Sequence, residues 1–104
     1  MDNSVIAEIK VYPFGSGTAG VSHIVATCVN VLEKATDIRY QVTPMATIVE
    51  GSLDRILELV KEMHELPFSQ GIHRVVTSIS IDDRRDKPVT MESKVQAVIE
   101  KVQD

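Results

Sequence analysis

Two strand-like segments lie on either side of a short proline turn, and this arrangement constrains the fold more than any other feature. Residues 38–43 alternate apolar and polar side chains, Pro44 and Met45 follow, and residues 46–50 form a second strand pattern. A parallel pair of strands needs a connection of a dozen or more residues, which this turn does not provide. The two strands are therefore expected to be antiparallel neighbours.

The other segments predict two further strands and three amphipathic helices. Alternation with a period of two predicts strands at 4–12, ended by Pro13, and at 73–82. Apolar residues at steps of three and four predict the helices. Their expected inward residues are Val21, Ile24, Val25, Cys28, Val31, Leu32 and Ala35, then Leu53, Ile56, Leu57, Val60 and Met63, and finally Met91, Val95, Val98, Ile99 and Val102.

Hydroxyl side chains mark the expected starts of these helices. Ser22 or Thr18 can cap the first helix, Ser52 the second and Thr90 the third, because their oxygens accept hydrogen bonds from the first backbone N–H groups. Asp54 falls in the first turn of the second helix, where the helix dipole favours a negative charge. Pro67 is expected to stop that helix.

The order of these elements predicts an α+β fold. Strand, helix, strand, strand, helix, strand is the ferredoxin-like βαββαβ sandwich, with two helices on one face of a four-stranded antiparallel sheet and, here, a C-terminal helix. Right-handed crossovers place strand one beside strands three and four, with strands two and four at the edges. Without an internal repeat or a linker, residues 1–104 are expected to form a single domain.

Strand direction predicts what lies at each end of the sheet. Residues 13–20, the turn at 43–46 and the connection at 68–72 share one end, and the charged run at 82–87 lies at the other. The sheet face away from the helices is too apolar to be left bare, so it is expected to pack on a second copy. Its expected members are Ile6, Glu8, Lys10, Tyr12, Arg39, Gln41, Thr43, Val76, Ser78 and Ser80, with Ile48 and Val49 each able to point inward.

Composition excludes several classes of partner. Fifteen acidic and eleven basic residues give a net charge of −4, so no positive field favours nucleic acid. The chain starts without a basic segment, and Glu8 and Lys10 interrupt the apolar run that follows, so neither a signal peptide nor a membrane span is expected. The lone Cys28 suits a reducing cytoplasm and is expected in the core rather than as a nucleophile.

The Gly-Ser-Gly-Thr-Ala-Gly stretch at 15–20, here called the glycine loop, is the main candidate for a site. It has the spacing of the dinucleotide fingerprint, but that fingerprint needs a parallel βαβ unit and a later acid that this chain lacks. Val21 stands where a Walker loop has lysine. Glycines let a ligand approach the backbone, and Ser16, Thr18 and Ser22 offer hydroxyls. A plain turn into a helix is the alternative.

No catalytic or metal-binding constellation is predicted. His23, His64 and His73 lack the spacing and the cysteine neighbours of a metal site. His23 is the only base near the glycine loop in the sequence, and it is either a ligand contact or a solvated helix residue. In the charged run at 82–87, basic neighbours are expected to lower the carboxylate pKa values, which disfavours general acid catalysis. That run is expected to be a salt-bridged strand end or a contact between subunits.

Three segments resemble the small single-domain thiamine-binding protein family. They are Pro-Phe-Gly-Ser-Gly-Thr at 13–18, Tyr-Gln-Val-Thr-Pro-Met-Ala-Thr-Ile-Val-Glu-Gly at 40–51 and Arg-Val-Val-Thr-Ser-Ile-Ser-Ile-Asp-Asp-Arg-Arg-Asp-Lys at 74–87. The resemblance covers essentially the whole chain. It implies a ferredoxin-like fold, a homotetramer assembled through its sheets, and reversible, non-catalytic binding of thiamine or a thiamine-like pyrimidine.

The expected site follows from this resemblance and from the shared end of the sheet. Backbone N–H groups and hydroxyls can bond an aminopyrimidine, and an acidic protein tolerates a cationic thiazolium. Phe14 and Met45 are expected to cover the rings. Glu50 is a further candidate for contact with a cation or an amine, although its position at the far end of its strand argues against this role. The expected ligand contacts are Ser16, Gly17, Thr18, Ser22, Thr43, Met45 and Thr47.

The expected role is to buffer or sense thiamine in the cytoplasm, with no cofactor besides this ligand. One alternative is a structural or interaction protein of the same fold that has no small-molecule ligand. Another is an enzyme acting on a thiamine precursor, for which His23 is the only local acid or base.

Overall fold

The computed structural model describes residues 4–15 and 21–102, apart from the side chain of Val21. It confirms the α+β class and the predicted order of elements. The elements are β1 (Ser4–Phe14), α1 (Val21–Glu33), β2 (Arg39–Val42), β3 (Thr47–Ser52), α2 (Leu53–Glu65), a 3₁₀ helix (Leu66–Gln70), β4 (Arg74–Asp82) and α3 (Met91–Val102). None of the helices in these ranges is long and apolar enough to cross a membrane.

The four strands form one antiparallel sheet in the order β2-β3-β1-β4, as predicted. β3 pairs with one edge of β1 from Ser4 to Ile9, whereas β4 pairs with the other edge as far as Phe14. The last pair on the β3 edge joins Ile9 to Thr47. The end of β1 and the turn between β2 and β3 therefore lie at the same end of the sheet.

Pro13 does not end β1, so this prediction was wrong. It is buried and pairs with Val75, and the strand continues to Phe14. Proline is tolerated in a strand where its nitrogen faces no partner strand. The pairing of β3 with β1 extends only as far as Ile9, so β3 does not lie beside Pro13. The missing N–H of Pro13 therefore costs no hydrogen bond in the sheet.

Two of the predicted helix caps are confirmed and one is not. Ser52 Oγ accepts a hydrogen bond from Arg55 N at 3.2 Å, and Thr90 Oγ1 accepts one from Ser93 N at 3.0 Å. Ser22 lies inside α1, which begins at Val21, so it cannot be the N-cap residue. The alternative cap, Thr18, lies outside the described residues.

The core fills the space between the sheet and the helices α1 and α2. Ile24, Cys28 and Leu32 are buried on α1, as predicted. On the sheet, Val49 pairs with Ala7 and is fully buried, which places Ile48 on the open face.

The predicted inward stripe of α2 needs one correction. Leu57 is 45% exposed, whereas Leu59, which was left out of the stripe, is 2% exposed. The buried residues of α2 are Ile56, Leu59 and Met63, at steps of three and four. Leu57 follows Ile56 by about 100° around the helix, which moves it to the edge of the buried face. Both choices satisfy the sequence periodicity, so only packing distinguishes them.

The helix α3 departs most from expectation, because none of its residues is buried. Its apolar stripe was predicted to point inward, yet Val95, Val98, Ile99 and Val102 are 50–75% exposed. The periodicity correctly identified the residues that share a face. It does not determine what covers that face.

Polar contacts fix the start of α3 against the open face of the sheet. Glu50 Oε1 accepts a hydrogen bond from Met91 N at 2.8 Å, and Glu50 Oε2 accepts one from Arg39 at 3.2 Å. Arg39 also donates to Glu92, and Lys94 donates to Asp82 at 2.6 Å. α3 is thus anchored by charge and by a capped N-terminus, while its apolar stripe is left uncovered within the described chain.

Gly51 is buried where β3 approaches the loop before β2. A Cβ atom at this position would lie 2.7 Å from Ile38 Cγ2 and 3.3 Å from Ile38 Cβ. We expect Gly51→Ala to lower the free energy of unfolding by about 1–3 kcal/mol, the usual cost of overpacking, in urea denaturation. Combining it with Ile38→Ala should cost less than the sum of the single variants. Simple additivity would contradict this explanation.

Candidate functional site

A pocket of about 170 Å³ lies at the end of the sheet where β1 finishes and β2 turns into β3. Residues 9–12 of β1 form one wall, and residues 42–47 form the opposite wall. The apolar floor comes from the helices, with Val25, Cys28 and Val29 on α1 and Met63 on α2.

Unequal strand lengths create this pocket. Extending the β1–β3 register beyond the pair of Ile9 and Thr47 would place Met45 opposite Val11. The chain instead turns at Pro44 and Met45, so β3 does not fill that position. The pocket is therefore a gap in the sheet, bordered by the exposed β1 edge and by the turn.

The turn that forms the outer wall is held closed by its own hydrogen bonds. Thr43 N donates to Ala46 O at 2.9 Å. The Thr43 hydroxyl donates to the same carbonyl at 2.7 Å and accepts from Ala46 N at 3.1 Å. Thr43 therefore shapes the rim with a hydroxyl that the turn already uses, and Met45, 77% exposed, lies on that rim.

Among the residues that line the pocket, Thr47 and Cys28 are buried and carry a hydroxyl and a thiol. Thr47 is 6% exposed and lines the pocket beside the turn. Cys28 Sγ donates to Met63 O at 3.4 Å, and burial raises the pKa of the Cys28 thiol. Cys28 is 2% exposed, which confirms it as a core residue.

The structure brings together three of the seven predicted contact residues. Thr43, Met45 and Thr47 all line the pocket. Ser22 is exposed in the first turn of α1 and does not line it. Ser16, Gly17 and Thr18 lie outside the described residues.

The other candidates lie away from the pocket. Phe14 is 47% exposed, and its ring is covered by the guanidinium of Arg74, 4.9 Å from the ring centroid. Glu50 anchors α3 instead. His23 is exposed on α1 and is absent from the described lining of the pocket. Within the described ranges, no three His, Cys, Asp or Glu side chains come together as a metal site.

His64 has a structural role that the sequence did not indicate. Its Nδ1 lies 2.7 Å from Thr77 Oγ1, and its ring packs edge-on against Phe68. This contact joins α2 to β4.

The charged run after β4 forms ion pairs within itself. Arg85 bonds Asp83 at 2.8 Å and Arg84 bonds Asp86 at 2.6 Å. These hydrogen bonds hold the pKa values of both carboxyl groups below their usual range, as predicted. The run is thus a salt-bridged strand end, and the exposed pairs contribute little stability.

Sequence reasoning missed the β1 wall and the helical floor of the pocket. Both β1 and β3 were recognised as strands, and the difference in their lengths was the available signal. The floor residues were identified only as core, because a core side chain and a pocket-lining side chain give the same periodicity.

Comparisons with known proteins agree with this architecture. The family model described as thiamine-binding protein matches residues 7–99. The chain is 45% identical over 96 residues to the UPF0045 protein YqgV of Bacillus subtilis, covering 89% of this chain and 92% of that protein.

Solved structures show the same fold. The crystal structure of hypothetical protein MJ1052 from Methanocaldococcus jannaschii superposes with a TM-score of 0.85 at 38% identity, covering 94% of this chain and 98% of that one. A Thermotoga maritima protein, provisionally named for thiamine biosynthesis or salvage, has a TM-score of 0.74 at 26% identity over 91% of this chain and 98% of that one. The chain therefore belongs to the thiamine-binding protein family.

Proposed function

We propose that this protein binds thiamine or a thiamine-like pyrimidine reversibly, in the pocket between β1 and the β2–β3 turn, to buffer or sense it in the cytoplasm. The observation that carries the proposal is the apolar pocket lined by Thr43, Met45 and Thr47. Membership of the family and the name of the Thermotoga maritima relative support the choice of ligand.

The dimensions of the pocket support the binding of one heteroaromatic ring. A protein cavity of about 150 Å³ takes up benzene, so a pocket of 170 Å³ suits a single six-membered ring. The apolar floor can cover the faces of that ring, and the Thr47 hydroxyl can bond its edge. In this pose the pyrimidine half enters the pocket, and the thiazolium half stays near the exposed Met45.

The chemistry of the described lining supports binding without turnover. The Cys28 thiol is neutral and already donates its hydrogen bond, so it is a poor nucleophile. His23, the base that an enzyme acting on a precursor would need, is not part of the described pocket. Turnover of a thiamine precursor that is lost in His23→Ala would favour the enzyme instead.

Thermal-shift and calorimetric titration with thiamine test the binding function. A ligand that binds only the folded protein stabilises it by about 2.7 kcal/mol at one hundred times its Kd, so the melting temperature should rise. Thr47→Val should weaken binding roughly threefold to tenfold by removing one hydrogen bond, whereas Ser22→Ala, outside the pocket, should leave it unchanged. The double variant Ser16→Ala/Thr18→Val tests the glycine loop, and we expect it to weaken binding. Failure of thiamine, its phosphates and its pyrimidine half to bind would refute the proposal.

We also propose that the protein assembles as a homotetramer. The observation that favours assembly is the exposed apolar stripe of α3 together with Ile48 and Val76 on the open face of the sheet. Packing against a further copy would remove this apolar surface from water. Sedimentation equilibrium at micromolar concentrations checks the proposal, and a monomer under these conditions would exclude it.

A further inference from the structure

The hydrogen bonds of the β2–β3 hairpin determine which way each backbone group of β3 points. Thr43 N donates to Ala46 O, so these two residues form a hydrogen-bonded pair across the hairpin. Such pairs alternate with non-bonded pairs in an antiparallel ladder. The next residue, Thr47, therefore directs its N–H and C=O away from β2 and towards Ile9 on β1.

The same alternation fixes the direction of the backbone groups along β1. Because Ile9 bonds towards β3, Val11 also directs both its N–H and its C=O to the β3 side. Pro13, which faces the same way, agrees with this assignment, since its missing N–H costs nothing there. The pairs with β4 are then hydrogen-bonded through the intervening residues, Lys10 and Tyr12.

β3 ends before it can reach Val11. No backbone group or side chain in residues 4–15 and 21–102 bonds the Val11 N–H or C=O on that side. Val11 is half-buried and lines the pocket beside the turn. Both groups point into the pocket, so a ligand that displaces water there must supply their hydrogen-bond partners.

We propose that the main-chain N–H and C=O of Val11 form the polar recognition edge of this pocket. They would bind a ring that carries an acceptor nitrogen next to an amino donor, which is the edge of an aminopyrimidine. The N–H donates to the ring nitrogen, and the C=O accepts from the amino group. This inference rests on the proposed function. It specifies that the aminopyrimidine edge of the ligand is recognised by the main-chain N–H and C=O of Val11.

Recognition through the main chain has a distinct consequence for specificity. A site that hydrogen-bonds a substrate group rejects analogues lacking it more strongly than an apolar pocket does, because its own groups are then left unpaired. Oxythiamine, in which an oxo group replaces the amino donor, should therefore bind at least about tenfold more weakly than thiamine.

Two variants of Val11 distinguish the contribution of its main-chain N–H to thiamine affinity from that of its side chain. Val11→Pro removes the N–H while leaving the β4 ladder intact, and Pro13 already shows that this edge tolerates proline. Val11→Ala trims the side chain and keeps both backbone groups. We expect calorimetry to show thiamine affinity about tenfold weaker in Val11→Pro than in Val11→Ala.

Amide exchange in the ¹⁵N-labelled wild-type protein provides a second readout if Val11→Pro does not fold. Saturating thiamine should slow exchange of the Val11 amide and shift its resonance. If thiamine binds the wild type but the Val11 amide stays unprotected, or if both variants bind equally, this inference alone is overturned. If the wild type binds neither thiamine nor its pyrimidine half, the proposed function fails and this inference fails with it.

Discussion

Leu59→Ala should lower the free energy of unfolding by about 2–5 kcal/mol, whereas Leu57→Ala on the same helix should cost less than about 1 kcal/mol. The chemical change is identical, but Leu59 is 2% exposed and Leu57 is 45% exposed. Truncating Leu59 removes its contacts and leaves a cavity among core side chains that cannot collapse fully. Leu57 already faces water on one side, so its truncation opens no enclosed space.

Thermal and urea denaturation of the two variants measures this difference. For a domain of this size, 1 kcal/mol corresponds to about 4–8 °C in the melting temperature, so Leu59→Ala should melt at least about 8 °C below the wild type. The measurements should be made without ligand, because ligand binding would mask part of the loss in the free energy of unfolding. Equal costs for the two variants would mean that α2 is rotated relative to the arrangement described above.

Charges on the apolar stripe of α3 should dissociate the proposed homotetramer. In Val95→Asp/Ile99→Asp, two carboxylates would replace side chains that are 58% and 50% exposed in the single chain. Burying them in an apolar contact between copies costs several kcal/mol, which weakens assembly by roughly a thousandfold or more. We expect sedimentation equilibrium to shift from the mass of four 11.5 kDa chains to that of one.

The control for this variant adds the same charge to the same helix. Gln96→Asp/Ala97→Asp places two carboxylates outside the apolar stripe, with a similar loss of helix propensity. It should leave the oligomeric state unchanged. Equal dissociation by both variants would assign the effect to net charge or to helix loss, and no effect from either would exclude the stripe as the contact.

The sequence predicted the strand order because local patterns left few alternatives. The short turn at 43–46 forces β2 and β3 to be antiparallel, and right-handed crossovers then place β1 at the centre. Ile24, Cys28 and Leu32 were identified correctly because a helix with one buried stripe has a clear period.

The remaining errors arise where a pattern does not specify a partner. α3 has a clear apolar stripe, but periodicity does not distinguish a face turned to the same chain from one turned elsewhere. Pro13 was read as a strand end because proline usually disrupts a ladder, and only the early end of β3 makes it harmless. The pocket has the same origin, since the unpaired edge at Val11 follows from the register of two strands and not from either sequence alone.

The pairing register of the short strand β3 determines both the lining of the pocket and the anchoring of α3. Thr47 lines the pocket near its start and Glu50 receives α3 three residues later, about 10 Å away along the strand. A slip of one residue in pairing would turn Glu50 towards the core, release α3 and carry Thr47 out of the pocket. An insertion or deletion in the turn at 43–46 is thus expected to disturb both the proposed ligand pocket and the anchoring of α3.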